Sequence, residues 1–384
     1  MHLGGLVMGL INIRLGDYIE RSTINNKDLK YRVDLIVGVN SQGVFATPKG
    51  NTDGVDLKPY KIVENGAFVY NPTRLELGSI AYRTEGLCIV SHLYMVFYLT
   101  DEGKKIIDPM WLYIYFRRSE FCREVTFRNF GSQRPEFNFN DMSDIIIPLP
   151  DIEIQKKYVD IYNAMLENQK SYEYGLEDLK LACDAYIEDL RRQMPCEAIA
   201  TYIEEVNKKN VGNLKLDSVR GIATSKEFIN TKANMEGVSL ENYKVVEPGM
   251  IAFISDTSRR ADKMSLALNQ SCENYLVSSI STVIQTDNTK LLPKYLYLFF
   301  CRTEFDRYAR FHSWGSARET FSLDDMKEVR MPLPSIDVQK AIVGIYEAYT
   351  IRKEINEKLK AQIKDICPIL IKGSIEEARK AKEA

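Results

Sequence analysis

The segment Phe127-Arg-Asn-Phe-Gly-Ser-Gln-Arg-Pro-Glu-Phe-Asn-Phe-Asn-Asp-Met142 is repeated 184 positions later, as Phe311-His-Ser-Trp-Gly-Ser-Ala-Arg-Glu-Thr-Phe-Ser-Leu-Asp-Asp-Met326. The match continues downstream without a gap and also extends upstream. The further matching segments are Pro148-Leu-Pro150 with Pro332-Leu-Pro334, Gln155-Lys156 with Gln339-Lys340, and 111–121 with 295–305. Because self-similarity at a fixed offset is typical of repeated folding units, the chain is predicted to contain two copies of one fold.

Two pairs of segments differ between the halves although they lie between matching regions. Residues 21–58 share almost nothing with residues 205–241, and residues 75–88 share almost nothing with residues 260–274. Each half is therefore predicted to be a shared frame that carries its own variable segments. Such an arrangement lets one fold serve two different targets.

The composition is that of an ordinary globular protein, with 45% hydrophobic and 27% charged residues among 384. A chain of this length predicts two domains with connecting structure. No stretch approaches the roughly 18 consecutive apolar residues that a membrane span needs, and the first residues lack the basic flank of a secretory signal. We therefore expect a cytoplasmic protein with no membrane partner.

Cysteine and histidine usage argues against several kinds of site. The seven cysteines are scattered without a Cys-x-x-Cys pair, and none of the three histidines has a partner at ligand spacing. The sequence therefore predicts reduced thiols, no metal site and no Ser-His-Asp arrangement.

The formal net charge of −2 alone argues against a nucleic-acid-binding protein. The charge is segregated, however, because five arginines and only two glutamates lie between Arg117 and Arg134, whereas acidic residues collect between Asp151 and Asp189. This pattern is compatible with DNA contact at one place and protein contact at another.

Two long helices are predicted, one after each proline-rich segment. The run from Asp151 to Gln193 contains no proline and one glycine, and as a continuous helix it would span about 60 Å. Its counterpart starts at Ser335 and reaches Cys367, after which Pro368 is expected to kink or end it. Apolar residues at steps of three and four predict coiled-coil seams that include Ile161, Met165, Leu179, Ile345, Leu359, Ile363 and Ile366. The alternative is that each helix packs only on its own domain.

The remaining patterns predict an α+β fold. Short alternating apolar runs indicate strands, and helical spacing follows Pro109; the predicted elements are strands at 35–39, 67–70 and 88–99 and a helix over 109–126. The chain is accordingly divided into two α/β domains and two helical segments, namely 1–150, 151–194, 195–334 and 335–384.

The turn Gly131-Ser132-Gln133-Arg134 and its copy Gly315-Ser316-Ala317-Arg318 are the sharpest candidates for DNA contact. A glycine turn lets backbone approach a ligand, serine and arginine bind phosphate oxygens, and arginine fits guanine bidentately. Polar loop tips after matching strands supply further cations. The candidate DNA-binding residues are Arg74, Arg128, Ser132, Arg134, Arg259, Arg260, His312, Ser316 and Arg318. The alternative is a structural turn whose arginine pairs with a local carboxylate, such as Asp141 or Asp325.

This layout resembles the specificity subunit of type I restriction-modification systems. The resemblance rests on the repeated Phe-x-x-Phe/Trp-Gly-Ser-x-Arg-x-x-Phe segment, on Pro-Leu-Pro-x-Ile-x-x-Gln-Lys at 148–156 and 332–340, and on the long helix after each. It covers nearly the entire chain, in the right order and twice.

The resemblance implies that each half has a target recognition domain for one part of a bipartite DNA site. It also implies that the two helices pair antiparallel as a spacer in a pseudo-two-fold repeat. Two modification subunits would dock on the chain, bring the S-adenosylmethionine and methylate adenine, and restriction subunits would join to cleave double-stranded DNA. The chain itself would be non-catalytic and without a cofactor.

Two alternatives from other classes are weighed against this interpretation. An adenine methyltransferase with a fused recognition domain needs an Asn/Asp-Pro-Pro-aromatic tetrapeptide, and Asn71-Pro72-Thr73-Arg74 lacks the second proline and the aromatic residue. There is also no Gly-x-Gly-x-x-Gly. The second alternative is a coiled-coil scaffold with no DNA role.

Overall fold

Two compact units make up the chain, and each combines one half of the repeat with parts of the long helices. The computed structural model describes residues 9–48, 50–52, 54–129, 136–212, 214–231, 233–256, 263–314 and 319–383. Unit 1 comprises Met1–Ser171 and Ile355–Ala384, and unit 2 comprises Tyr172–Glu354. Within the described ranges, no helix is long and apolar enough to cross a membrane.

The first half of the chain contains ten strands and six helices in its described residues. The strands are β1 (Ile11–Arg14), β2 (Ile19–Arg21), β3 (Gly38–Val39), β4 (Phe45–Ala46), β5 (Lys61–Val63), β6 (Phe68–Tyr70), β7 (Ile80–Tyr82), β8 (Cys88–Val90), β9 (Met95–Leu99) and β10 (Ile146–Leu149). The helices are α1 (Asp101–Ile106), α2 (Pro109–Phe116), α3 (Ser119–Arg128), α4 (Phe139–Ser143), α5 (Ile152–Glu173) and α6 (Leu176–Gln193).

The second half repeats this order without a counterpart of α1. Its strands are β11 (Cys196–Ala198), β12 (Ile203–Glu205), β13 (Arg220–Ile222), β14 (Phe228–Asn230), β15 (Lys244–Val246), β16 (Ile251–Ile254), β17 (Ser265–Leu268), β18 (Tyr275–Val277), β19 (Thr282–Thr286) and β20 (Arg330–Pro332). Its helices are α7 (Pro293–Cys301), α8 (Thr303–Phe311), α9 (Leu323–Lys327) and α10 (Ile336–Glu383).

The strand pairing is the same in both units and is antiparallel within every sheet. A four-stranded sheet has the order β2-β9-β6-β7 in unit 1 and β12-β19-β16-β17 in unit 2. Three two-stranded ribbons accompany each sheet: β1-β10, β3-β4 and β5-β8 in one, β11-β20, β13-β14 and β15-β18 in the other. The predicted tandem α/β repeat is thereby confirmed.

Some predicted elements are longer than the real ones. The strand predicted over 88–99 is divided into β8 and β9, and the helix predicted over 109–126 is divided into α2 and α3. Helix α2 is buried on all sides from Trp111 to Phe116, and its first turn is capped because the Asp108 carboxylate accepts from the N–H groups of Met110 and Trp111. Its all-round burial makes it the centre of the unit 1 core.

A buried glutamine explains why the Gln-Lys pair occurs in both halves. The Gln155 side chain accepts from the N–H of Asp108 at 2.8 Å and donates to the carbonyls of Ile106 and Pro150 at 2.8 and 2.7 Å. Gln339 makes the three equivalent bonds, to Leu292, Lys290 and Pro334. Both glutamines are completely buried. The motif therefore fastens the start of each long helix to the frame.

The first long helix is not continuous, contrary to the sequence prediction. Helix α5 ends at Glu173 and α6 begins at Leu176, because Gly175 adopts a left-handed conformation with φ +78°. Pro368 was expected to kink or end the second helix, and it does not end it, since the 48-residue helix α10 continues through this proline. Cys367, Leu370 and Ile371 are buried around that proline, and their packing offsets the hydrogen bond that it cannot make.

Within unit 1, α5 and the last part of α10 run antiparallel. Lys157 pairs with Glu377 at 2.8 Å, and the Gln169 amide donates to the Asn356 side-chain oxygen at 2.7 Å. The seam differs from the prediction at Ile161, whose side chain is 44% exposed, whereas Tyr162 one position later is buried.

The other predicted seam residues are buried or half-buried. These are Met165, Leu179, Ile345, Leu359, Ile363 and Ile366. The register of α10 therefore follows the predicted spacing more closely than that of α5.

Candidate nucleic-acid interface

The two Gly-Ser-x-Arg turns lie outside the described residues, as does the loop with Arg259 and Arg260. The predicted contacts Ser132, Arg134, Ser316 and Arg318 therefore stay predictions. The chain on either side of these segments is described, and it shows which loops lie next to one another.

In both units, the residue three positions after the turn is bonded to the loop that follows an inner strand of the four-stranded sheet. This strand is β6 in unit 1 and β16 in unit 2. In unit 1 the Phe137 N–H donates to the Pro72 carbonyl at 3.0 Å, and in unit 2 the Phe321 N–H donates to the Ser255 carbonyl at 2.8 Å. Both phenylalanines are completely buried and anchor the connection in the core. The structure thus brings the ends of two predicted DNA-contact loops together in each unit.

Unit 2 adds a small ladder at this point. Trp314 and Thr320 exchange both backbone hydrogen bonds, at 3.2 and 3.0 Å, and Asp256 forms a bridge with Thr320. Thr320, two residues after the Gly315–Arg318 turn, therefore pairs with both Trp314, which precedes the turn, and Asp256, which precedes the loop with Arg259. Glu319, next to the turn, is ion-paired with Arg310 of α8.

Two of the predicted contacts have partners within the protein. The Arg128 guanidinium bonds the Glu124 carboxylate one helical turn away, with Nη2 to Oε1 at 2.8 Å. The His312 ring stacks on Tyr308 with 4.2 Å between ring centroids. Asp141 and Asp325, the alternative partners of the turn arginines, close capping boxes at the starts of α4 and α9.

Arg74 is a predicted contact that the structure describes, and its side chain is exposed. It borders a hollow of about 320 Å³ that is also lined by residues of the β3–β4 hairpin, including Gly38 and Asn40. Tyr94 lines the same hollow, and its hydroxyl accepts from the Val39 N–H at 3.3 Å.

Exposed aromatic side chains next to the turns are a feature that the sequence interpretation missed. Phe127 at the end of α3 is 82% exposed, its repeat counterpart Phe311 is 77% exposed, and Trp314 is 70% exposed. Aromatic faces beside cationic loops are suited to stacking on bases or on a partner's side chains. The signal was available, because all three residues belong to the repeated motif.

The hairpin of each variable segment is fixed to the frame by an equivalent tyrosine. Tyr113 of α2 donates from its hydroxyl to the Gly43 carbonyl at 3.2 Å, and Tyr297 of α7 donates to the Lys226 carbonyl at 2.7 Å. Gly43 and Lys226 occupy the same left-handed turn position, with φ values of +75° and +67°. The pKa of both tyrosines is raised by burial, so both hydroxyls stay protonated and can donate.

The two hairpins thus hold the same place in the two units although their sequences differ. Each variable segment is presented by the same arrangement of strands and helices, next to the ends of the candidate contact loops. This is the geometry that two different recognition surfaces on one scaffold require.

Comparison with known proteins gives one sequence family and several solved structures. The family described as "Type I restriction modification DNA specificity domain" matches twice, over residues 10–173 and 203–365. No curated protein sequence matches the chain.

Solved structures that resemble the chain include the type I restriction-modification system S subunit from M. genitalium, with a TM-score of 0.59 and 11% identity over 97% of this chain and 98% of that chain. The HsdS subunit from Thermoanaerobacter tengcongensis gives 0.41 and 16% over 97% and 98%. A structure from work on assembly and conformational transition of the type I R-M system gives 0.47 and 15% over 97% and 99%. The likeness to the M. genitalium subunit, with its TM-score of 0.59, shows a shared fold.

Proposed function

The chain belongs to the family of type I restriction-modification DNA specificity proteins, and we propose that each of its two units reads one part of a bipartite DNA site. The observation that carries the proposal is the repetition of one frame with two unrelated hairpins. Bases are distinguished by side chains at groove edges, so two different half-sites need two different contact surfaces. The variable segments supply this difference, and the frame supplies the common placement.

The helices are proposed to set the spacing of the two half-sites and to dock two modification subunits. Restriction subunits would join this assembly on double-stranded DNA, in the cytoplasm. The polar contact between Gln169 and Asn356 supports a spacer role, because a buried polar pair in a helix seam specifies register.

Catalysis is proposed to reside on the partners, which would also hold the S-adenosylmethionine. The sequence lacks the tetrapeptide and the glycine-rich turn that an adenine methyltransferase needs. Methyl transfer by the purified chain alone would instead support the methyltransferase alternative. Salt-independent or absent DNA binding by the assembled complex would support the scaffold alternative.

Replacing Arg134 or Arg318 by alanine is expected to weaken DNA binding through the unit that carries the change. A phosphate contact predicts weaker binding to all sequences and a salt slope reduced by about one unit. A base contact predicts relaxed selectivity at one position, at a cost of about 1 to 3 kcal/mol. Titrations of the assembled complex at several salt concentrations distinguish the two.

The matched controls are Arg123→Ala in unit 1 and Arg307→Ala in unit 2, which remove an exposed arginine from the neighbouring helix. If the turn variants bind like these controls, with unchanged affinity and salt slope, the arginines are structural.

A further inference from the structure

One charged side chain in each unit joins the hairpin to the base of the neighbouring contact loop. In unit 1 this side chain is Arg117, directly after α2. Its guanidinium donates to the Gly78 carbonyl at 2.5 Å and to the Ser41 carbonyl at 3.3 Å. Ser41 lies in the turn between β3 and β4, and Gly78 closes the short helical turn that follows Arg74. Arg117 therefore connects the hairpin turn with the short helical turn that follows Arg74.

In unit 2 the same connection is made by a group of opposite charge. The Asp306 carboxylate on α8 accepts from the Lys226 ammonium at 2.6 Å and from the Met264 N–H at 3.1 Å. Lys226 lies in the turn between β13 and β14, and Met264 follows the loop that carries Arg259 and Arg260. The ion pair is buried, with side chains 7% and 9% exposed.

At equivalent positions, the two units carry side chains of different charge and size. In unit 1 the hairpin residue is Gly43, and a Cβ built there would lie 2.6 Å from Nη1 of Arg117, so a side chain at this position would displace the guanidinium. In unit 2 the position of Arg117 is taken by Cys301, which leaves room for the Lys226 side chain. The position of Asp306 is taken in unit 1 by Cys122. Each hairpin is thus matched to its own frame.

We propose that Arg117 and Asp306 are positioning residues for DNA recognition, each fixing one hairpin to backbone near a second candidate contact loop, at Gly78 in unit 1 and at Met264 in unit 2. This rests on the proposed function, since it assigns to one polar link in each unit a part in the geometry of that half-site's reading surface. Contacts to base edges demand side chains held in place, and a hairpin of two or three paired residues has little stability of its own. The link to the frame supplies the missing rigidity.

The proposal predicts that disturbing one link relaxes selectivity at one half-site only. The variants are Asp306→Asn and Lys226→Met in unit 2 and Arg117→Met in unit 1. The double variant Lys226→Met/Asp306→Asn leaves no unpaired buried charge, so it is available if a single variant does not fold. Lys290→Met and Lys104→Met are controls that remove exposed, ion-paired lysines from the same units.

The measurement is binding of the complex with its modification subunits to duplexes that carry the recognised site or single base changes in either half. For the unit 2 variants we expect discrimination to fall about tenfold for changes in one half-site, with the other half-site unaffected. For Arg117→Met we expect a fall of the same size for base changes in the other half-site only. The controls should discriminate like the original protein.

A purely structural role predicts a different result. Loss of folded protein lowers the bound fraction for every duplex equally and leaves the discrimination ratios unchanged; that outcome, or equal relaxation at both half-sites, overturns the proposal. If the complex that contains the original protein, without substitutions, shows no base preference in either half-site, the proposed function fails instead.

Discussion

Replacing Gln155 by leucine is expected to destabilise unit 1 by about 3 kcal/mol or more. The change removes the glutamine partner of the half-buried Asp108 N–H and Ile106 carbonyl and of the buried Pro150 carbonyl, and a buried group left without a partner costs about 1 to 3 kcal/mol. Chemical denaturation measures the loss. Hydrogen exchange localises it, because the amides of α1 and α2 should exchange faster while those of α7 stay unchanged.

The neighbouring residue offers a matched control. Lys156 is exposed and pairs only with Glu153 on the helix surface, so Lys156→Ala should change the free energy of unfolding by no more than about 0.5 kcal/mol. Equal changes in the free energy of unfolding for Gln155→Leu and Lys156→Ala would show that Gln155 does not fasten the long helix to the rest of unit 1.

Lengthening both long helices by the same amount is expected to move the two half-sites apart without changing their sequences. Four residues inserted after Ser171 and four after Glu354 add about 6 Å of helix, close to two base pairs at about 3.4 Å each. These positions keep Gln169 with Asn356 in unit 1, and Tyr172 with Arg352 in unit 2. Adenine methylation patterns of cells that express the variant report the new gap.

A seven-residue insertion at the same positions makes the test quantitative. It adds about 10.5 Å, close to three base pairs, and changes the phase of the helix seam by only about 20°. Insertion in one helix alone should prevent assembly, because it shifts one seam against the other. If both paired variants fold and assemble yet methylate the original spacing, the helices do not set the gap.

The repeat and the long helical segments were predictable because they leave local patterns that occur twice. The prediction failed where packing overrides local preference. Of the kink or end expected at Pro368, the end does not occur, because buried neighbours hold α10 together. The sequence shows a single glycine between residues 151 and 193, but it does not show that Gly175 adopts a left-handed conformation and divides the helix. Ile161 was predicted in the seam and is exposed.

The links between hairpin and frame could not have been predicted from the sequence. Ser41 and Arg117 lie 76 positions apart, and Lys226 and Asp306 lie 80 apart. One partner of each pair lies in a variable segment, so the repeat alignment gives no guide to it. Lys226 also occupies a left-handed turn position that lysine seldom adopts, which no local pattern indicates.

The most direct test of the account is the adenine methylome of the host, sequenced with and without this gene. The account predicts a bipartite motif whose modification disappears on deletion and returns when the gene is restored. Restoration with an Asp306→Asn variant should return methylation with degenerate bases in one half of the motif only. Adenine methylation that is the same with and without the gene would contradict the assignment of this chain as a DNA specificity subunit.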